Sequence, residues 1–145
     1  MDELRITAAL RRAVAGRARG CCEYCRSQVR FAMSSFVLDH IVPRSAGGAT
    51  DVENLAFACA GCNAHKYNKT SAVDPVSGET VALYNPRRDR FRDHFTWSAD
   101  FTRIHGLTPS GRATVEALEM NHDGVLNLRR LLHQAGAHPP TEPTE

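Results

Sequence analysis

Hydrophobic positions near the start of the chain fall every fourth residue, at Ile6, Leu10 and Val14, which is the spacing of one helix face. Arg11, Arg12, Arg17 and Arg19 fill the remaining positions and the end, and Gly20 stands where a helix stops. This pattern predicts a helix over residues 3–18. The rhythm then changes. Phe36 to Ile41 is a compact run rich in branched and aromatic side chains and reads as a short strand, with Leu55 to Ala58 as a second. Pro43, Gly47 and Gly48 make residues 43–51 a loop. A helix is expected to begin at Asn63, pass through Lys69 and be ended by about residue 74, where Asp74-Pro75 and Ser77-Gly78 signal turns. The middle of the chain is therefore strand, loop, strand, helix.

Beyond residue 75 the pattern is thinner. Val81 to Tyr84 is a short apolar piece, Asn85-Pro86 a break, and Arg87, Arg88, Arg90 and Arg92 a basic run. Residues 95–97 and 101–104 flank Ser98-Ala99-Asp100, which suggests a hairpin with a three-residue loop. Thr108-Pro109 opens a helix to about Met120. Asp123 is placed to cap a last helix with Leu128, Leu131, Leu132 and Ala135 on one face, ended by Gly136. The expected organisation is a basic N-terminal helix over 1–20, a core over 21–75, a hairpin and helices over 76–137 packed on it, and a disordered, proline-rich tail over 138–145.

Composition bounds the chemistry. With 145 residues the chain suits one domain, yet a segment of about fifty residues around the two strands would be marginal without a staple. That staple is legible. Cys22-x-x-Cys25 and Cys59-x-x-Cys62 are paired knuckles, and four thiolates make a closed tetrahedral zinc site. Cys21 is the spare thiol and could replace Cys22, though Cys21-x-x-x-Cys25 is the less common spacing. The 18 Lys+Arg against 16 Asp+Glu give a net charge of +2. Four thiolates remove four charges and the ion returns two, so net charge says nothing about nucleic acid; only its placement can. No apolar run of membrane-spanning length or secretory type is present, so a soluble, cytoplasmic chain with reduced cysteines and no membrane partner is expected.

Between the knuckles lie Asp39-His40-Ile41-x-Pro43, the Gly47-Gly48 loop and Asn54 before Leu55; Asn63 and Lys66 follow Cys62. This series resembles the HNH endonucleases in their zinc-stapled form, over about a third of the chain. One departure is Asn63, where the founding pattern has histidine. The resemblance implies an α+β fold with a ββα-metal (His-Me finger) core, a structural Zn²⁺ and a small α+β C-terminal extension. It also implies hydrolysis of phosphodiester bonds in nucleic acid, DNA first, leaving a 5′-phosphate and a 3′-hydroxyl. By similarity His40 is the general base, a role an imidazole suits near neutrality. Asp39 and Asn63 hold one catalytic cation, Mg²⁺ or Mn²⁺, a carboxylate and an amide oxygen being hard donors. Asn54 ties the loop and holds His40.

Other positions stay open at this stage. Adjacent strand residues point to opposite faces, so Asp39 and His40 share a centre only if the strand ends or bulges there. A helix beginning near Asn63 would aim its N-terminus at the same centre. Arg44, Lys66 and Lys69 are candidate phosphate contacts or solvated surface, and the arginines of the first helix are likewise a solvated face or a phosphate surface. His65 is an alternative ligand or a packing residue, and the second Asp-His pair, Asp93-His94, lacks the loop and knuckle that accompany the first. The rival function is a non-catalytic zinc module that binds nucleic acid or protein. A protein partner or homodimer is left undecided by the sequence.

Overall fold

The computed structural model describes residues 5–142; the predicted helical positions 3 and 4 lie outside them. Thr7 caps the first helix, α1 (Ala8–Arg17), its hydroxyl accepting from Leu10 N–H at 3.1 Å. Arg19 and Gly20, at φ +54° and +71°, turn the chain away. Val14 is fully buried. Arg17 belongs to neither surface that the sequence suggested: it donates to Val52 O at 2.8 Å and to Leu55 O at 2.7 Å, fastening α1 to the chain beneath it.

Strands β1 (Val37–His40) and β2 (Leu55–Ala58) pair antiparallel, from Val37 opposite Ala58 to His40 opposite Leu55. The four residues of β2 are buried, and Phe57 packs on Phe36 with ring centroids 5.1 Å apart. The first knuckle joins this hairpin through Glu23. Its N–H donates to Phe57 O, and its buried carboxylate accepts from Phe57 N–H, both at 2.8 Å, while pairing with Arg87.

Helix α2 spans Ala60–Lys66, so it begins earlier than Asn63 and ends before Lys69. The reason is chemical: the Cys59 thiol accepts from Cys62 N–H at 3.4 Å and serves as the N-cap. Tyr67 takes φ +52° and ends the helix. The next element is strand, not helix: β3 (Ser71–Val73) pairs with β4 (Thr80–Ala82). Asp74 closes their turn by accepting from Val76 and Ser77 N–H, and Arg112 grips its carboxylate at 2.9 and 2.8 Å. Those guanidinium bonds hold the Asp74 carboxyl far below its usual range.

The extension contains α3 (Phe91–His94), β5 (Phe95–Trp97), β6 (Ile104–Gly106), α4 (Pro109–Ala117) and α5 (Asp123–Gln134). The β5–β6 loop runs over residues 98–103 and is longer than the sequence suggested, because Trp97 pairs with Ile104. Asp100 organises it, accepting from Ser98 Oγ, Thr102 N–H and Thr102 Oγ1, bonds that lower its pKa to about 2. His122, not Asp123, caps α5. Its inward face carries Leu126 and Arg129, whereas Leu131 is 64% exposed, contrary to the predicted leucine face. Arg129 is accommodated by donating to Thr102 O and Met120 O, both at 2.8 Å, beside the Trp97 ring.

Residues 138–142 also depart from expectation. His138 is buried, bonded to Phe101 O at 2.8 Å and set edge-on to Trp97; Glu142 binds Arg26 through both carboxylate oxygens at 2.8 and 3.0 Å. The whole is an α+β arrangement of three two-stranded sheets and five α-helices among the described residues, none of the helices long and apolar enough to cross a membrane.

Candidate active site and metal centre

The two knuckles meet at the junction of β2 and α2. The sulfurs of Cys22, Cys25, Cys59 and Cys62 all lie within 4.8 Å of one another, Cys25 and Cys59 being 3.7 Å apart. Four sulfurs at ~2.3 Å from one ion stand ~3.8 Å apart in a tetrahedron, so the cluster is of the size and chemistry to hold a zinc ion. Cys25 N–H points at the Cys22 sulfur and Cys62 N–H at the Cys59 sulfur, which supports negative charge there. Burial pushes the Cys22 thiol up, whereas contacts with the other three sulfurs hold Cys25 well down. Cys21 stands apart, its sulfur 3.8 Å from Arg19 O. Cys22, not Cys21, is thus the thiol that stands in the four-sulfur cluster. Because Cys59 caps α2, the helix N-terminus faces the thiols rather than the His40 centre.

Strand β1 ends at His40, and a shallow cleft of ≈ 210 Å³ opens there, lined by Leu38, Asp39, His40, Pro43, Arg44, Asn63 and Tyr67. The sequence-derived residues Asp39, His40, Asn63 and Arg44 thus border one space. Arg44 is exposed at its rim, and the side-chain amide of Asn63 has no hydrogen-bond partner among the described residues.

The loop after β1 is drawn in by Asn54. Its Nδ2 donates to Val42 O at 2.9 Å and to Ala49 O at 2.8 Å, and its Oδ1 accepts from Val42 N–H at 3.0 Å. This clasp requires Gly48: a Cβ there would sit 1.7 Å from Val42 O and 2.8 Å from Asn54 Nδ2. Thr50, carried back by the loop, places its hydroxyl 2.8 Å from His40 Nε2, leaving Nδ1 without a partner among the described residues. Burial lowers the His40 pKa, helped by the charges of Arg44 and Lys66 and opposed by Asp39.

Asp39 is 4% exposed. Its Oδ2 accepts from the Tyr24 hydroxyl at 2.7 Å and lies 3.1 Å from Lys66 Nζ. Burial raises its pKa against the pull of that ammonium. Lys66 corrects the sequence reading: at 1% exposure it is not a surface cation for phosphate. Its ammonium is spent on Asp39 and on the carbonyls of His40 and Ile41, both at 3.1 Å. Lys69 is exposed, donating to His65 O at 2.8 Å. His65 turns away from the cleft, bonded to Gly61 O and facing Glu119 at 3.1 Å. Sequence reasoning missed Tyr24 and Thr50. An aromatic phenol inside the first knuckle was the available sign of the former; a hydroxyl near a loop's end signals little.

Residues 22–69 match the family model for HNH endonuclease. A stretch of 53 residues, 36% of this chain, is 43% identical to the CRISPR-associated endonuclease Cas9 of Corynebacterium diphtheriae. The match covers 5% of that relative, so the chain spans a small fraction of its length. No solved structure matches. The likeness to the HNH endonucleases therefore lies in residues 22–69, the stretch that carries both knuckles and the cleft residues.

Proposed function

We propose that this protein is a metal-dependent nuclease hydrolysing phosphodiester bonds of nucleic acid, with DNA as the first substrate to test. The observation that carries the reading is the single cleft bordered by Asp39, His40, Asn63 and Arg44 at the end of β1. His40 takes the proton of the attacking water at its free Nδ1, Thr50 fixing the ring through Nε2. Its lowered pKa keeps the imidazole neutral, and so able to accept, at neutral pH. Arg44 balances phosphate charge at the rim, and Asn54 holds the loop that carries it.

Asp39 and Asn63 would hold the divalent cation, and a carboxylate with an otherwise unengaged amide oxygen suits Mg²⁺ or Mn²⁺. Bound there, the ion supplies charge stabilisation at the phosphate and the leaving oxygen. The thiol cluster would hold zinc as a structural staple, with no part in the chemistry.

One observation favours the non-catalytic alternative. Asp39 is nearly sealed and its charge is already met by Lys66, as in a purely structural pair. Plasmid cleavage with and without a chelator of hard cations separates the two. The parent should nick DNA only with the cation, and His40→Ala should lose ~10²–10⁴-fold in rate while keeping its zinc. His40→Ala cleaving at the parent rate would overturn the assignment.

A further inference from the structure

A groove of ≈ 310 Å³ lies next to the cleft, with Ile41, Val42, Lys69, Arg88, His94 and Ser110 in its walls. Its walls continue those of the cleft along the chain. Ile41 directly follows His40 on one side, and Lys69 follows Tyr67 by two residues on the other. The far wall comes from the extension, outside the stretch that matches the HNH family.

Charge distinguishes this groove from the other large basic cavity. That cavity, of ≈ 320 Å³, contains Arg17, Arg26 and Arg87. Arg17 is held under α1 by two carbonyls, those of Val52 and Leu55, Arg26 and Arg87 are paired with Glu142 and Glu23, and exposed Arg19 shares the cavity with these carboxylates and Glu53. In the groove the reverse holds. Arg88 is exposed, and its guanidinium has no partner among the described residues. Lys69 donates only to a backbone carbonyl. The carboxylate in the wall, Asp89, accepts from Asn85 N–H at 2.9 Å and so is engaged in its own turn. His94 is anchored through Nδ1 to the Thr108 hydroxyl at 2.6 Å, which leaves Nε2 for an occupant. Two unspent cations, an imidazole nitrogen and a hydroxyl offer donors to an acceptor-rich anion.

We propose that this groove binds the sugar-phosphate backbone of the substrate strand at a phosphodiester away from the one being cut, with Lys69 and Arg88 as its cationic contacts. The inference rests on the nuclease reading and deepens it. The extension thereby takes part in substrate binding, and the strand crosses from cleft to groove over the His40–Val42 segment. Phosphate contacts of this kind position a strand without reading its bases.

The test measures binding of a short duplex DNA, and of one of its strands, across a salt series. It uses a His40→Ala background so that the DNA is not consumed. Each neutralised phosphate contributes a slope of about 0.9 in log K against log salt for duplex and about 0.7 for single strands. Arg88→Ala should reduce the slope by that amount and weaken binding about tenfold near ~0.1 M salt. Arg88→Lys should restore most of it. Arg130→Ala, which removes an exposed cation on α5, should leave slope and affinity unchanged. If Arg88→Ala binds with the parent slope and affinity, the groove is wrong while the nuclease reading stands. If the His40→Ala chain binds neither probe and the unmodified chain cleaves neither, both readings fall.

Discussion

Lys66 shows how one side chain can join the two halves of the site. Its ammonium meets the Asp39 carboxylate and the carbonyls of His40 and Ile41, so it fixes the residues on which the proposed chemistry depends. Both partners of the ion pair are almost completely buried, and breaking such a pair from one side strands a charge at a cost of about 3–5 kcal/mol. Lys66→Ala should therefore lower the unfolding free energy of the zinc-loaded protein by that order. Adding Asp39→Asn should recover part of the loss, and urea titration of the four chains of the cycle would read the coupling; simple additivity would contradict it. A second prediction separates neighbours on α2. Asn63 borders the cleft, whereas His65 is engaged with Gly61 and Glu119. Asn63→Ala should abolish Mg²⁺-supported cleavage and His65→Ala should not. An inactive His65→Ala beside an active Asn63→Ala would reverse the ligand assignment. These roles were unequally legible in the sequence. Asn54 and Asn63 sit in a recognisable motif, but a lysine that faces inward looks the same in sequence as one that faces water.

At the scale of elements, the β1–β2 pair and the knuckles could be read directly, because a short apolar run bounded by turn residues and doubled CxxC spacing each admit few structures. The start of α2 could not. Its cap is a thiol, Cys59, which the usual list of capping side chains omits. The inward face of α5 was misread for a related reason: Arg129 looks like surface until Thr102, Met120 and Trp97 surround it. Helix α2 has seven residues, too few to persist without tertiary support. It should depend on the metal that its first turn would help hold. Cys22→Ser should lose the zinc and with it helical signal in far-UV circular dichroism, while Cys21→Ser should retain one ion per chain by native mass spectrometry. A zinc-free Cys21→Ser beside a loaded Cys22→Ser would refute the ligand set.

Across the whole molecule, the core and the extension are tied more tightly than the chain order suggests. A boundary at residue 75 would divide the β3–β4 hairpin and part Asp74 from Arg112. It would also part Glu23 from Arg87, and Arg26 from the Phe91 ring, 4.2 Å from its guanidinium. The C-terminal strap closes the assembly. Gln28 donates to Ala137 O at 2.7 Å, His138 packs on Trp97, and Glu142 holds Arg26 in the first knuckle. Deleting residues 138–145 should leave a folded, zinc-loaded protein destabilised by about 1–3 kcal/mol, or several degrees in Tm at roughly 2–4 °C per kcal/mol. Acidity should reduce that difference. Burial lowers the His138 pKa below its ordinary value near ~6.5, so the ring is held neutral in place. The strap's contribution is whole above that ordinary value and declines as pH falls through the lowered one. Calorimetry of full-length and truncated chains should therefore show a Tm gap that is constant above about pH 6.5 and narrows as pH falls below it. A gap that stays constant, or is absent at neutral pH, would mean that the strap contributes nothing to the fold.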